Sequence, residues 1–387
     1  MKSYSRVCAE INLDAIAYNM EQLKNRIGKE GRLVAVLKTD GYGHGAVPIA
    51  EMFEETEYVW GYATASLEEA VLLKKAGMKK PVLVLGCIFP EQYEEMIQYE
   101  IRTAVYTEES AVLMAETAKQ MGKTAYFHIK IDTGMGRIGF PVCTESVDCL
   151  RRISKFEHVC MEGMFTHFAK ADETDKTYTL EQHEKFQWMK KKMEENHIHI
   201  RYYDCDNSAG IIDLPAMRHD LARAGIAMYG LYPSQEVKKD AVKLKPALAL
   251  TSHIIYVKEI EAGTSISYGG TFISPKKMKV ATIPVGYGDG YPRSLSNKGE
   301  VLIRGKRAKI LGRICMDQLM ADVTDIEGAG FMDPVVLVGK DGTEEITVEE
   351  LSELSGRFPY EFICCLGKRI PRNYWADGKV VRQIDSF

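Results

Sequence analysis

Lys38 stands where an apolar run, Leu33-Val34-Ala35-Val36-Leu37, gives way to Thr39-Asp40-Gly41-Tyr42-Gly43-His44-Gly45, a stretch bearing glycines and aromatics. A cation at the exit of a buried strand costs desolvation unless it snorkels to solvent or serves a reaction. In the second case a dry site lowers its pKa, and the free amine can form a Schiff base with a carbonyl or a cofactor aldehyde. Other residues able to do chemistry recur downstream: Lys130 and Arg137 in Lys130-Ile131-Asp132-Thr133-Gly134-Met135-Gly136-Arg137, His167 in Phe165-Thr166-His167-Phe168, the pair Asn207-Ser208, and Arg223-Ala224-Gly225-Ile226. Taken singly, each has a plain structural reading as a hydrogen-bonded histidine, a turn arginine or a tight turn. Together they offer an aldehyde-capturing lysine and a set of hydroxyl and backbone N–H groups for a phosphate, which suggests pyridoxal phosphate. Arg223 is the candidate neighbour of that cofactor's pyridine nitrogen. A guanidinium cannot release its proton, so it can only donate to a neutral nitrogen. That weakens the electron sink and discourages side reactions such as transamination. No P-loop and no strand-placed G-x-G-x-x-G competes with this reading.

The elements that must position these residues alternate. After a helix from Leu13 to Ile27, apolar runs recur at Leu33–Leu37, Tyr58–Ala63, Val82–Leu85, Thr103–Tyr106, Tyr126–Ile129, Cys160–Phe165, Arg201–Tyr203 and Leu221–Ala222, eight candidate strands. Helical segments lie between them. Ser66-Leu67-Glu68-Glu69 reads as a capping box with Gly77 as a left-handed stop, and Thr107 opens a helix that ends at Gly122. Eight strands alternating with helices predict a (β/α)8 TIM-like barrel over residues 1–244, with functional residues at the C-terminal strand ends. The chemically able residues above all follow strands. Beyond residue 244 strand-like runs (Ala249–Val257, Val280–Val285, Val301–Arg304, Lys309–Arg313, Leu319–Val323, Val335–Val338) follow one another, and one helix, Val348–Leu354, interrupts. Residues 245–387 are therefore expected to form a mainly antiparallel β domain, with which the first ten or so residues could pack.

Composition narrows the class. The 387 residues are 45% hydrophobic and 27% charged with net charge −4, which argues against nucleic-acid binding. An 18-residue apolar stretch and a leader are both lacking, so neither a membrane segment nor export is expected. The nine cysteines include no C-x-x-C pair, which suits a reduced cytoplasmic protein without a zinc or other metal site.

The stretch Lys38 to Gly45 resembles the cofactor-lysine signature of the alanine racemases, fold-type III pyridoxal phosphate enzymes. The resemblance continues through Lys130 to Gly139, Thr166-His167-Phe168, Asn207 to Gly210, Arg223 to Gly230, Ser267-Tyr268-Gly269, Gly286 to Gly290, Gly312 to Gln318 and Arg369-Ile370-Pro371-Arg372. It implies a homodimer with active sites shared between subunits, in which Lys38 holds the cofactor and acts as one base and Tyr268 of a second copy is the opposite base. A hydrogen-bond chain through His167 to Arg223 would lower the pKa of that tyrosine. Tyr42, Ser208, Gly225 and Ile226, with Asn207 beside them, would bind the phosphate. Arg137, Met316 and Asp317 would bind substrate, Tyr287 and Arg293 would line the entry, and Lys130 matches a lysine carbamylated in some members. The implied reaction interconverts L- and D-alanine for peptidoglycan. Serine or broad-specificity racemases share the scaffold; a decarboxylase of the same fold type, acting on a basic amino acid, would have an acidic partner for the pyridine nitrogen where Arg223 stands, and a pyridoxal phosphate-binding barrel lacks the β domain. The chain departs from the pattern at Gly41, where alanine is usual, at Asp204-Cys205-Asp206, where His-x-Ala is common, and at Lys368, where some members have tyrosine.

Overall fold

Eight parallel strands close a ring in the computed structural model, which describes residue 3, residues 5–217 and residues 219–386. In chain order they are Arg32–Val36, Val59–Thr64, Val82–Val84, Arg102–Val105, Ala125–Asp132, Val159–Phe165, Tyr202–Asp204 and Leu221–Ala224. The last pairs with the first, Ala222 beside Leu33. All eight predicted strands are present, and the predicted barrel is the one observed. Leu33, Val34 and Ala35 are fully buried, as an uninterrupted apolar run in a parallel sheet demands.

The intervening helices obey their local signals. Ser66 and Glu69 cap each other's amides at 3.4 Å at the start of Leu67–Lys75. The helix Glu108–Met121 begins at the Thr107 hydroxyl and stops at Gly122 with φ +62°. Polar side chains occupy both ends of the barrel interior. Toward the N-terminal end Glu162 takes hydrogen bonds from Arg102 (3.0 Å) and His128 (3.4 Å). Gly163 is required there, since a Cβ would come within 2.5 Å of the His128 ring.

This barrel unit comprises Ile16–Gly41 and Ala46–Lys245. A second unit gathers the residues up to Ala15, the short stretch Tyr42–Gly45 and everything from Pro246 onward. Its main sheet runs, by neighbours, Lys306–Lys309, Glu300–Ile303, Pro334–Asp341, Leu248–His253, Val7–Asn12, Arg372–Ala376, Lys379–Ile384, with Glu344–Ile346 paired to the third of these. One pairing, Val7–Asn12 with Arg372–Ala376, is parallel and the rest are antiparallel. A smaller antiparallel sheet, Tyr256–Ile260, Met278–Ile283 and Leu319–Asp322, packs around Ile260, Ile266, Met278, Val280 and Leu311.

Four local expectations need correction. The run Ala249–Val257 is two strands: the Ile254 amide bonds to Asp333 O while the next, Ile255, bonds to Thr282 O, so the chain changes sheets at a point that hydrophobicity does not mark. The strand expected at Lys309–Arg313 lies at Lys306–Lys309, where three cations on a sheet edge hide it from an apolar scan. A second helix, Pro359–Cys364, follows the predicted one, with proline at its first position. The hairpin formed by Arg372–Ala376 and Lys379–Ile384 and the strand Val7–Asn12 were not foreseen, because their pairing partners are hundreds of residues distant or flanked by charge.

Candidate active site

Immediately after the first barrel strand the backbone turns left-handed. Thr39, Asp40, Gly41 and Tyr42 have φ of +57°, +51°, +62° and +52°, a conformation that costs about 1–2 kcal/mol for each residue bearing a Cβ. Three hydrogen bonds offset that cost. The Gly41 amide donates to Leu37 O (2.8 Å), the Thr39 amide to Glu69 Oε1 (2.6 Å), and Asp40 Oδ1 accepts from the Ala46 amide (2.8 Å). Lys38 is thereby held at the strand exit, half-buried.

The other strand exits of the barrel carry a set of cations. Lys130, at the end of the fifth strand, is 2% exposed and donates to Ile131 O at 2.7 Å. Burial first, and then the charge of Arg223, lower its pKa to about 8. Asp132 gathers the Gly134 and Gly136 amides at 3.0 Å, shaping the loop that carries exposed Arg137. Arg223 leaves the eighth strand buried, forms an ion pair with Asp204, and through Nη2 donates to Thr166 O (2.8 Å), Cys205 O (3.2 Å) and His167 Nδ1 (3.4 Å). The last bond requires an unprotonated Nδ1. Burial, then the charges of Arg223, Arg137, Lys130 and Lys38, hold the His167 pKa well below the usual histidine range. A neutral imidazole ringed by these cations is thus what the fold builds at one mouth, and the five residues named from sequence converge there.

Ser208 joins the seventh exit to the eighth. Its Oγ accepts from the Gly225 amide (3.0 Å) and the Ala227 amide (3.3 Å). With both lone pairs used, the hydroxyl hydrogen is left to donate to an anion. Asn207 caps the helix Ser208–Asp213 through the Gly210 amide at 3.0 Å, and Gly225 precedes the 3-10 turn Ile226–Tyr229. The net positive mouth and this cradle of hydroxyl and helix-start amides fit a phosphate-bearing cofactor together with an amino-acid carboxylate.

Two positioning residues escaped sequence reasoning. Glu69 was legible as a cap but not as the acceptor for Thr39. Gln182, fully buried in the helix Thr177–Glu195, donates to Thr133 Oγ1 and His167 O (both 3.2 Å) and accepts from the Ala169 amide (2.9 Å). A polar residue on that helix's inward face was the available signal.

The second unit carries the remaining named residues. Tyr42 is buried against Tyr360, ring centroids 6.0 Å apart. Tyr268 is 69% exposed in a 3-10 turn, Tyr268–Gly270, preceded by Ser267 at φ +66°. The Ser267 hydroxyl bonds to Arg313 O, which fixes the turn. The Tyr287 and Gly288 amides donate to Cys315 O (3.1 Å) and Met316 O (2.8 Å), and Asp317 pairs with Arg369 at 2.9 Å. Gly286 has no room for a side chain, because a Cβ would lie 2.2 Å from Cys315 O. Tyr287, Met316 and Arg293 are exposed on this unit.

Fold and site together define a barrel protein whose mouth is lined by cations. Comparison with known proteins identifies the class further. Residues 11–233 match the family described as alanine racemase, N-terminal domain, and residues 247–374 match alanine racemase, C-terminal domain. A relative named alanine racemase from Clostridium tetani is 44% identical over 376 residues, covering 97% of each chain. Among solved structures, an alanine racemase from Clostridium difficile aligns with TM-score 0.95 and 38% identity over 99% of both chains. That from Bacillus anthracis, described with bound L-Ala-P, aligns with TM-score 0.93 and 32% identity over 100% of this chain and 99% of its own. The chain belongs to the alanine racemase family, and its enzyme class is that of an amino-acid racemase, an isomerase. Among the described residues no helix is long and apolar enough to cross a membrane.

Proposed function

We propose that this enzyme racemises L- and D-alanine with pyridoxal 5'-phosphate, as a cytoplasmic homodimer that supplies D-alanine for peptidoglycan. The observation that carries the reading is the hydrogen bond from Arg223 Nη2 to His167 Nδ1 at 3.4 Å, at a barrel mouth where Lys38, Lys130 and Arg137 also act on the imidazole. When bound, the cofactor delocalises the electron pair left at Cα after the proton departs. The chain's own residues do the rest. Ser208, Gly225, Ile226 and Tyr42 bind the phosphate, with Asn207 holding the helix start. Lys38 would hold the cofactor's aldehyde carbon, and its Nζ, when free of that carbon, would take or return the α-proton on one face, while Tyr268 Oη of a second copy would serve the other face. Opposed bases suit a reaction that removes a proton on one side and restores it on the other. The exposure of Tyr268 is consistent with a role completed across a subunit boundary. His167 and Arg223, linked from Nη2 to Nδ1 at 3.4 Å, form the hydrogen-bond chain that this phenol would join. Arg137, Met316 and Asp317 receive the substrate carboxylate and bound its side chain, and Tyr287 and Arg293 line the entry.

Circular dichroism of L-alanine, L-serine and L-lysine incubated with the protein tests this directly. Loss of optical signal for alanine without release of carbon dioxide is expected. Preference for serine would move the assignment to a serine racemase on the same scaffold. Lys38→Ala should abolish the absorbance of the lysine-bound cofactor, and an unchanged spectrum would overturn the role of Lys38.

A further inference from the structure

The seventh barrel strand ends in Asp204-Cys205-Asp206, three buried residues. Asp204 and Asp206 are 2% and 3% exposed, and one cation, Arg223, forms an ion pair with the first of them. The Oδ1 atoms of both carboxyls have no hydrogen-bond partner among the described residues. Asp206 is packed against backbone: a Cβ on Gly210 would fall 2.4 Å from its Oδ1, so no counter-ion fits on that side. Two buried carboxylates two residues apart cannot both ionise beside one guanidinium. Charge stays on the carboxylate that Arg223 touches, and the proton stays on the other. Every acceptor of Arg223 Nη2 is uncharged, namely Thr166 O, Cys205 O and His167 Nδ1, so among the described residues Asp204 is the guanidinium's sole anionic hydrogen-bond partner.

We propose that Asp204 is the positioning residue for Arg223 and that Asp206 is its neutral, proton-holding companion, so that the guanidinium donates into the barrel mouth in one orientation with its charge cancelled. The proposal rests on the functional reading above, in which the acceptor is the cofactor's ring nitrogen. A charge-cancelled donor leaves that nitrogen unprotonated, whereas an uncompensated guanidinium would pull more electron density toward it. The family resemblance places a histidine where Asp204 stands, so this chain meets the requirement by its own means. Burial, partly opposed by Arg223, pushes the Asp204 pKa up to about 6, and burial with the neighbouring Asp204 charge pushes Asp206 well above the carboxylate range. The charged and titratable groups facing the pair are Arg223 from the eighth strand, Lys130 from the fifth and Cys205 between the two, while His167, after the sixth strand, shares the same guanidinium.

Full-length Asp204→Asn and Asp206→Asn, checked for folding by thermal melt, decide the matter. Asp206→Asn mimics a neutral acid and should keep the bound-cofactor spectrum and hold kcat within about threefold. Asp204→Asn should shift that spectrum and its pH dependence, and lower kcat by about tenfold or more with a smaller change in KM. It should also accumulate pyridoxamine phosphate, as the substrate's amino group and two electrons pass to the cofactor and the keto acid leaves. If Asp204→Asn does not fold, Asp204→Ser, which also removes the charge, serves the same comparison. Asp204→Asn indistinguishable from wild type, or Asp206→Asn equally damaging, overturns the proposal. In cofactor-free protein at neutral pH, infrared spectroscopy should show a protonated-carboxyl band that Asp206→Asn removes and Asp204→Asn retains; the reverse pattern also overturns it. Wild-type protein that neither binds pyridoxal phosphate nor racemises would defeat the functional reading instead, and the infrared result would still decide which carboxyl holds the proton.

Discussion

Glu69 Oε1 accepts the amide hydrogen of Thr39 at 2.6 Å across thirty residues of chain. The capping glutamate of one helix thereby clamps the left-handed turn that follows Lys38. Its other oxygen takes the Ala65 amide at 2.8 Å. Glu69→Ala should therefore lose about 2 kcal/mol of stability in urea denaturation and weaken retention of the cofactor. Glu69→Gln keeps one acceptor oxygen but sets an amide NH2 at the other place, so it should recover only part of that loss.

Tyr268→Phe removes one hydroxyl from an exposed turn, so stability should change by less than about 0.5 kcal/mol. Cofactor absorbance should persist while racemisation falls by about 100-fold or more. Unimpaired turnover of both enantiomers in this variant would place the second base elsewhere.

Lys130 tests a different chemistry. Burial and the adjacent Arg223 leave its pKa near 8, so the share of free amine, the form that reacts with carbon dioxide, grows as pH rises through that value. Incubation with carbon-13 bicarbonate should give a carbamate resonance in wild type that strengthens from pH 7 to pH 9 and is absent from Lys130→Ala. Turnover of wild type should rise with bicarbonate, because a carbamate anion would orient Arg137.

The barrel's opposite end predicts acid sensitivity. Burial raises the Glu162 pKa, but the hydrogen bonds from His128 and Arg102 outweigh it and bring the group down to about 2. A depressed carboxylate contributes stability that is complete above about 4.5 and lost as pH falls toward 2. His128, lowered chiefly by burial, acts in the same sense, since unfolding at acid pH releases it to take up a proton. Glu162→Gln should lose on the order of 3 kcal/mol at pH 7 and flatten the pH dependence of unfolding below pH 5, with kcat essentially unchanged. A large drop in kcat would show that this network reaches the mouth.

Local patterning carried the barrel because its strands hold short apolar runs and two of its helices announce their ends; Ser66, Thr107 and Gly122 act within four residues of the groups they satisfy. The β unit was less legible for the converse reason. Val7–Asn12 gains its place only from Leu248–His253 and Arg372–Ala376, and the break at Ile254 exists only because consecutive amides find different partners. Pairing across such distances leaves no mark on a local window.

What the amino-acid order alone determined was residue type at each strand exit: Lys38, Lys130, His167, Ser208 and Arg223 are the chemistry available, and their positions after apolar runs already grouped them. Tertiary structure decided their states. Lys130 has a lowered pKa because it is buried and other cations share its enclosure, and His167 stays neutral because it is buried beside those cations and takes a hydrogen bond from Arg223. Protonation depends on burial and on charges brought from distant parts of the chain, and these exist only once the barrel has closed.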